Sequence, residues 1–171
     1  MTELKIIDLP AFKDIRGSFV KTFNESLFQS LGIPFQLRES YYSISDLNVI
    51  RGMHFQLPPH QHSKIVFCPI GTILDVAVDL RMTSPDYGKC FAQILSAENH
   101  KAYYIPEGFA HGFRSLTQDS LTCYLVSSEY HAASDTGIAF DSLGYDWECA
   151  DPVMSERDKN FVSLKDFKSP F

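Results

Sequence analysis

The stretch T-I-L-D-V-A-V-D-L, Thr72 to Leu80, decides how the chain folds. From Asp75 onward it alternates strictly, with Val76, Val78 and Leu80 on one side and Asp75, Ala77 and Asp79 on the other, the two-residue period of a β-strand. Neither face reads as an obvious solvent face. Working outward, turn signals recur at short intervals between segments rich in Val, Ile, Phe and Tyr. This predicts further strands over Gly17 to Phe23, Gln36 to Ser45, Ser63 to Ile70, Cys90 to Leu95, Ala102 to Ile105 and Leu121 to Ser128, the layout of an all-β antiparallel sandwich or barrel. Helix is scarce. One short helix is expected over Asn24 to Leu31, with Asn24 as its N-cap and Gly32 as its stop.

Composition fits one globular domain over residues 1–171: 44% of residues are hydrophobic and 21% charged. The formal charge of -6 offers no sequence-wide footprint for nucleic acid, so any phosphate site must be a local cluster of cations. No apolar run approaches the roughly 20 residues of a membrane span, and M-T-E-L-K-I-I-D-L-P lacks the layout of a secretory signal. A cytoplasmic protein without membrane partners is expected. Cys68, Cys90, Cys123 and Cys149 lack C-x-x-C spacing and read as reduced core thiols.

Polar chemistry concentrates in R-G-M-H-F-Q-L-P-P-H-Q-H-S-K, Arg51 to Lys64, which carries two cations and three histidines around a Pro-Pro break. It reads either as a solvated loop or as part of a site, with His54, between Met53 and Phe55, the histidine best placed for burial. If the chain turns at Ile70-Gly71 into a hairpin, Lys64 falls opposite Ala77 and beside Asp75 and Asp79. A buried ammonium there would stabilise an oxyanion. Tyr124 is a hydroxyl-bearing aromatic in an otherwise apolar strand and needs a partner if buried. There is no P-loop, G-x-S-x-G elbow or dinucleotide fingerprint. The residue set of His54 or His111, Lys64, Tyr124 and carboxylates suits proton transfer.

I-P-E-G-F-A-H-G-F, Ile105 to Phe113, has the P-x-G-x-x-H spacing of the second cupin motif, and the chain resembles a cupin-type antiparallel β-barrel, or jelly roll. Metal-binding cupins follow H-x-H with a glutamate three or four residues on. Here His60-x-His62 is followed by Ile65, Val66 and Phe67, so the acidic ligand is missing. Further marks are D-I-R-G-S-F (Asp14 to Phe19), F-N-E (Phe23 to Glu25), R-G-M-H-F-Q, Lys64, D-V-A-V-D-L-R, S-P-D-Y-G (Ser84 to Gly88), Tyr124, Tyr130 and S-E-R-D (Ser155 to Asp158). In this order and spacing, the chain resembles the dTDP-4-dehydrorhamnose 3,5-epimerase family of deoxysugar-nucleotide epimerases over nearly its whole length.

The resemblance implies a homodimer, without metal or other cofactor, acting on a nucleoside-diphosphate-linked 4-keto-6-deoxy sugar. It casts His54 as general base, Asp158 as its carboxylate partner, Lys64 as the cation on the enolate oxygen and Tyr124 as the acid on the opposite face. Arg16 and Arg51 match positions that hold the nucleotide and its diphosphate, and Glu25 and Tyr130 match contacts to the nucleoside and sugar. Phe19, in the same mark as Arg16, joins the substrate-binding set, and His111 matches a further active-site histidine. Glu39 and Tyr41 stand where the family reads an amide pair that touches the nucleotide. His131 replaces a second tyrosine, and Ala139 to Ser142 replace a W-N-D-P stretch. Two competing readings are a metal-dependent cupin oxygenase or isomerase using His60, His62 and His111, and a sugar-binding barrel without catalysis.

Overall fold

The computed structural model describes residues 3–171; residues 1 and 2, within the span expected for the domain, lie outside the described residues. Two five-stranded sheets form its frame. One runs in the order β1 (Lys5–Asp8), β9 (Lys101–Ile105), β6 (Lys64–Ile70), β11 (Ser120–Val126), β4 (Glu39–Ser45). The other runs β12 (Asp135–Gly137), β5 (Ile50–Gln56), β10 (Phe109–Ser115), β7 (Thr72–Asp79), β8 (Cys90–Ser96). Their pairings are antiparallel, the double-sheet jelly roll expected. A separate hairpin joins β2 (Ala11–Asp14) to β3 (Gly17–Val20). The helices are α1 (Glu25–Ser30) and α2 (Glu156–Lys159). As expected, Asn24 caps α1, accepting from the Leu27 N–H at 2.9 Å. No helix among the described residues is long and apolar enough to cross a membrane.

β7 explains why its sequence shows no solvent face. Ile73 and Ala77 join the layer between the sheets with Val66, Leu95, Tyr103, Phe109 and Phe113. Val76, Val78 and Leu80 face the other way, into a layer closed by Trp147 and the tail residues Leu164, Phe167 and Phe171. A third layer, with Phe28 of α1, covers Ile65, Phe67 and Leu125 on the outer side of the first sheet. Each of these strands therefore buries both faces, and each fully buried aliphatic or aromatic side chain contributes roughly 1.5–3 kcal/mol.

The hairpin expected at Ile70-Gly71 does not form. β6 pairs with β9 and β11, whereas β7 pairs with β8 and β10, so the chain crosses from one sheet to the other at this point. Gly71 makes the corner with φ +80, and a Cβ there would strike the Thr117 and Ser120 hydroxyls. Lys64 accordingly lies opposite Ile105 and Val126, not Ala77. Two central strands, β5 and β10, escape sequence reading because histidine, arginine and glycine interrupt their apolar alternation. Arg51 to Gln56 is strand, not solvated loop.

Candidate active site

β5 and β10 approach so closely that a Cβ on Gly52 would sit 2.5 Å from the Gly112 Cα, and one on Gly112 would sit 2.6 Å from the Met53 Sδ. Gly52 also has φ +138, which disfavours a side chain. This contact sets His54 directly opposite His111, beside an irregularity in the β10 register. Met53, Phe55 and Ala110 pack outward in the layer under the tail, so the intervening histidines turn inward. From the facing sheet, β6 supplies Lys64 and β11 supplies Tyr124. All four line one cavity of about 370 Å³.

Each histidine has its own carboxylate. His54 Nε2 lies 2.8 Å from Asp158 Oδ1, and Asp158 Oδ2 accepts the Gly52 N–H at 3.1 Å. Asp158 sits in the first turn of α2, its own N–H donating to the Ser155 hydroxyl that caps the helix. Burial pushes the Asp158 carboxyl up, but hydrogen bonds from His54, Gly52 and Ser155 outweigh it and hold the group below the ordinary carboxylate value. An ionised carboxylate can only accept, so His54 carries its proton on Nε2 and keeps the Nδ1 lone pair free. The second pair was not foreseen from the sequence: His111 Nε2 lies 2.8 Å from Asp75 Oδ2, both residues buried. Burial pulls His111 below the ordinary imidazole value against the opposing pull of Asp75.

Lys64 is 6% exposed and donates to the His54 carbonyl at 3.2 Å. Burial lowers its pKa to about 8, and Asp135 and Asp75 work to keep it charged. The expected nearness of Lys64 and Asp75 thus holds, but across the barrel interior instead of across a hairpin. Tyr124 is buried. Its ring stacks on Tyr41 at 4.8 Å and meets the edge of His111 at 6.1 Å. Burial raises its phenol well above the usual value, and Ser43, whose hydroxyl is buried without a well-formed hydrogen bond, opposes the rise.

Glu39, Tyr41, Arg51 and Tyr130 also line the cavity. Arg51 is held by the Ser45 hydroxyl at 3.0 Å and the Ile44 carbonyl at 3.1 Å, and Glu39 accepts the Tyr130 N–H at 2.7 Å. Arg16, Phe19 and Glu25 do not reach it. Arg16 stands exposed on the β2–β3 hairpin, paired with Asp14 at 2.6 Å; Phe19 is 62% exposed; and Glu25 accepts from Gln29 on α1. Sequence reading missed Arg157, Asp135 and Gln56, which do line the cavity. Arg157 is bonded to Asp135 at 2.7 Å and lies over the Phe161 ring; only its neighbour in S-E-R-D had been given a role.

His60, His62 and His111 do not converge as one set of ligands, although His62 and His111 both line the cavity. His60 stacks on His131 at 3.6 Å, His62 is bonded to Gln56, and His111 is bonded to Asp75. Among the described residues, no group of three or more His, Cys, Asp and Glu is arranged to hold a metal ion.

A family profile described as dTDP-4-dehydrorhamnose 3,5-epimerase matches residues 1–166. The chain belongs to this family. It is 40% identical over 166 residues to the dTDP-4-dehydrorhamnose 3,5-epimerase of Methanothermobacter thermautotrophicus, covering 94% of this chain and 89% of that one. The Bacillus anthracis family member, solved with TDP and PPi bound, superposes with a TM-score of 0.91 at 33% identity over 94% of both chains. The Legionella pneumophila epimerase in complex with dTDP-4-keto-L-rhamnose superposes with a TM-score of 0.92 at 34% identity over 96% of this chain and 89% of that one. The epimerase-family chain is accordingly an isomerase, and the oxygenase and pure binding-module readings find no support among its relatives.

Proposed function

We propose that the protein inverts one or both carbons flanking C4 in a nucleoside-diphosphate-linked 4-keto-6-deoxyhexose, in deoxysugar biosynthesis in the cytoplasm. One observation carries this reading: His54 and Tyr124 enter a single cavity from opposite sheets, with Lys64 in the same wall. Inverting a carbon next to a ketone requires taking a proton from one side of a planar enolate and delivering one to the other, so two different groups must face each other. His54 Nδ1 takes the proton, and the resulting imidazolium is stabilised by Asp158 at 2.8 Å. The C4 oxygen gains the charge and is met by the Lys64 ammonium in a buried setting where such an interaction is strong. Tyr124 delivers a proton from the opposite face, and exchange with water resets both groups.

Arg51 and Arg157 at the cavity place two guanidinium groups within reach of a diphosphate, in a protein whose formal charge is -6. Arg16 and Phe19 fit this reading in a homodimer, where the β2–β3 hairpin that carries them, followed in the chain by Glu25 of α1, serves the partner's cavity. Phe12 at 57% and Ile15 at 104% exposure leave that hairpin with apolar surface for a second copy to cover. The test is NMR in heavy water with dTDP-, CDP- and GDP-linked 4-keto-6-deoxyhexoses. Deuterium is expected at C3, C5 or both with at least one of these, and no exchange with any of them overturns the assignment.

A further inference from the structure

His62 lies in the cavity wall with no role in the chemistry above, and its hydrogen bonds fix where its proton sits. Gln56, 2% exposed, is oriented by backbone groups: its Oε1 accepts the His131 N–H at 2.6 Å, and its Nε2 donates to the carbonyls of His60 at 2.8 Å and Glu129 at 3.2 Å. A backbone N–H only donates and a carbonyl only accepts, so the amide has one workable orientation. The same Nε2 lies 3.1 Å from His62 Nδ1. An amide nitrogen has no lone pair to offer, and its two hydrogens are shared among these carbonyls and Nδ1; an N–H on Nδ1 would point at another donor, so Nδ1 accepts and the ring proton belongs to Nε2. Ser128 Oγ lies 3.4 Å from Nδ1. His62 Nε2 itself is buried without a partner, in a side chain that lines the cavity with Lys64 and His111.

A buried donor without an acceptor is costly to keep, and a ligand that supplies the acceptor relieves the cost. We propose that His62 is a second, uncharged donor of the oxyanion site, its Nε2–H bonding the C4 oxygen of the sugar beside the Lys64 ammonium. The proposal rests on the reading given under Proposed function and adds a residue to it. No proton leaves His62 during the reaction; it donates one hydrogen bond that strengthens as charge builds on the oxygen. The ring is prevented from taking a second proton by burial and by the positive field of Lys64, which lower its pKa to about 3. A neutral imidazole polarising a carbonyl is a recognised way to stabilise an enolate.

The experiment compares the wild-type protein, His62→Leu and His62→Gln, with a dTDP-linked 4-keto-6-deoxyhexose as probe. Removing an oxyanion donor typically lowers kcat by about 10²–10³. His62→Leu is therefore expected to lose about 100-fold in the kcat for deuterium exchange with KM changed by less than about threefold, and His62→Gln, which retains an N–H, to recover at least about tenfold. Nitrogen-15 NMR of the wild type reads the group independently of turnover: the proton should stay on Nε2 from pH 5 to 8 and shift downfield when the probe binds. A His62→Leu kcat within threefold of wild type, a proton on Nδ1, or an unmoved Nε2–H signal in the bound state overturns the proposal. Absence of wild-type exchange would instead strike the activity, and the NMR measurement would still decide the donor.

Discussion

The two histidine–aspartate pairs are alike in geometry and unlike in setting. Both close at 2.8 Å, yet the His54 side chain is 30% exposed and that of His111 only 3%. His54, at the open side of the cavity, can meet substrate and exchange its proton with water, and an ionised Asp158 stands ready for the charge it acquires. His111, sealed in the barrel interior, is kept neutral by burial and serves as a fixed donor to Asp75, which in turn supports the Lys64 ammonium. On the mechanism proposed above, the same pair of side chains acts as a base where solvent reaches it and as scaffolding where it does not.

The largest effects separate the two pairs directly. His54→Ala should lower deuterium exchange by about 10³-fold, within the range for loss of a general base, with only a small loss in urea unfolding midpoint, because Asp158 keeps the Gly52 N–H and the vacated, 30% exposed position admits water. His111→Ala should do the converse to stability. It strands a carboxylate that is 0% exposed, and breaking a buried pair in this way costs about 3–5 kcal/mol, readable as a lower midpoint. Equal stability losses in the two variants would end the distinction.

An intermediate effect concerns pH. Lys64 loses its proton as pH rises through about 8, so the rate should fall on that alkaline side as the oxyanion loses its counter-charge. Asp75 is one of the two carboxylates holding the ammonium in place; Asp75→Asn should therefore move the fall to lower pH, and Lys64→Arg should remove it from the accessible range. A kcat profile from pH 6 to 10 for the three proteins checks both directions. The smallest effect is expected at Tyr41, whose ring stacks on Tyr124. Tyr41→Asn removes the ring that packs on Tyr124, changing the C3-to-C5 exchange ratio by up to about the two- to thirteenfold that one aromatic stacking contact is worth.

Much of the frame is legible in the chain because burial writes a simple period. Thr72 to Leu80 shows its strand, and Asn24 and Gly32 bracket a helix by local hydrogen-bonding and backbone preferences. β5 and β10 are less legible because they hold the chemistry. Arg51, His54 and His111 replace apolar residues at alternate positions, and Gly52 and Gly112 remove side chains so that the strands can touch, which erases the pattern of a strand. The carboxylate partners are harder still. Asp158 is 104 residues from His54, and no local spacing links them; only resemblance to a family does. Lys64 and Asp75 come near each other by a route that local pairing rules do not describe, since their strands lie in different sheets. The Gln56–His62 bond was hidden because a lone H-x-H suggests a metal before it suggests an amide.

The placement of Asp158 on α2 makes the ion pair a product of tertiary folding alone. A barrel whose segment from Ser155 to Lys159 were undocked would keep its strands and present His54 without a counter-ion.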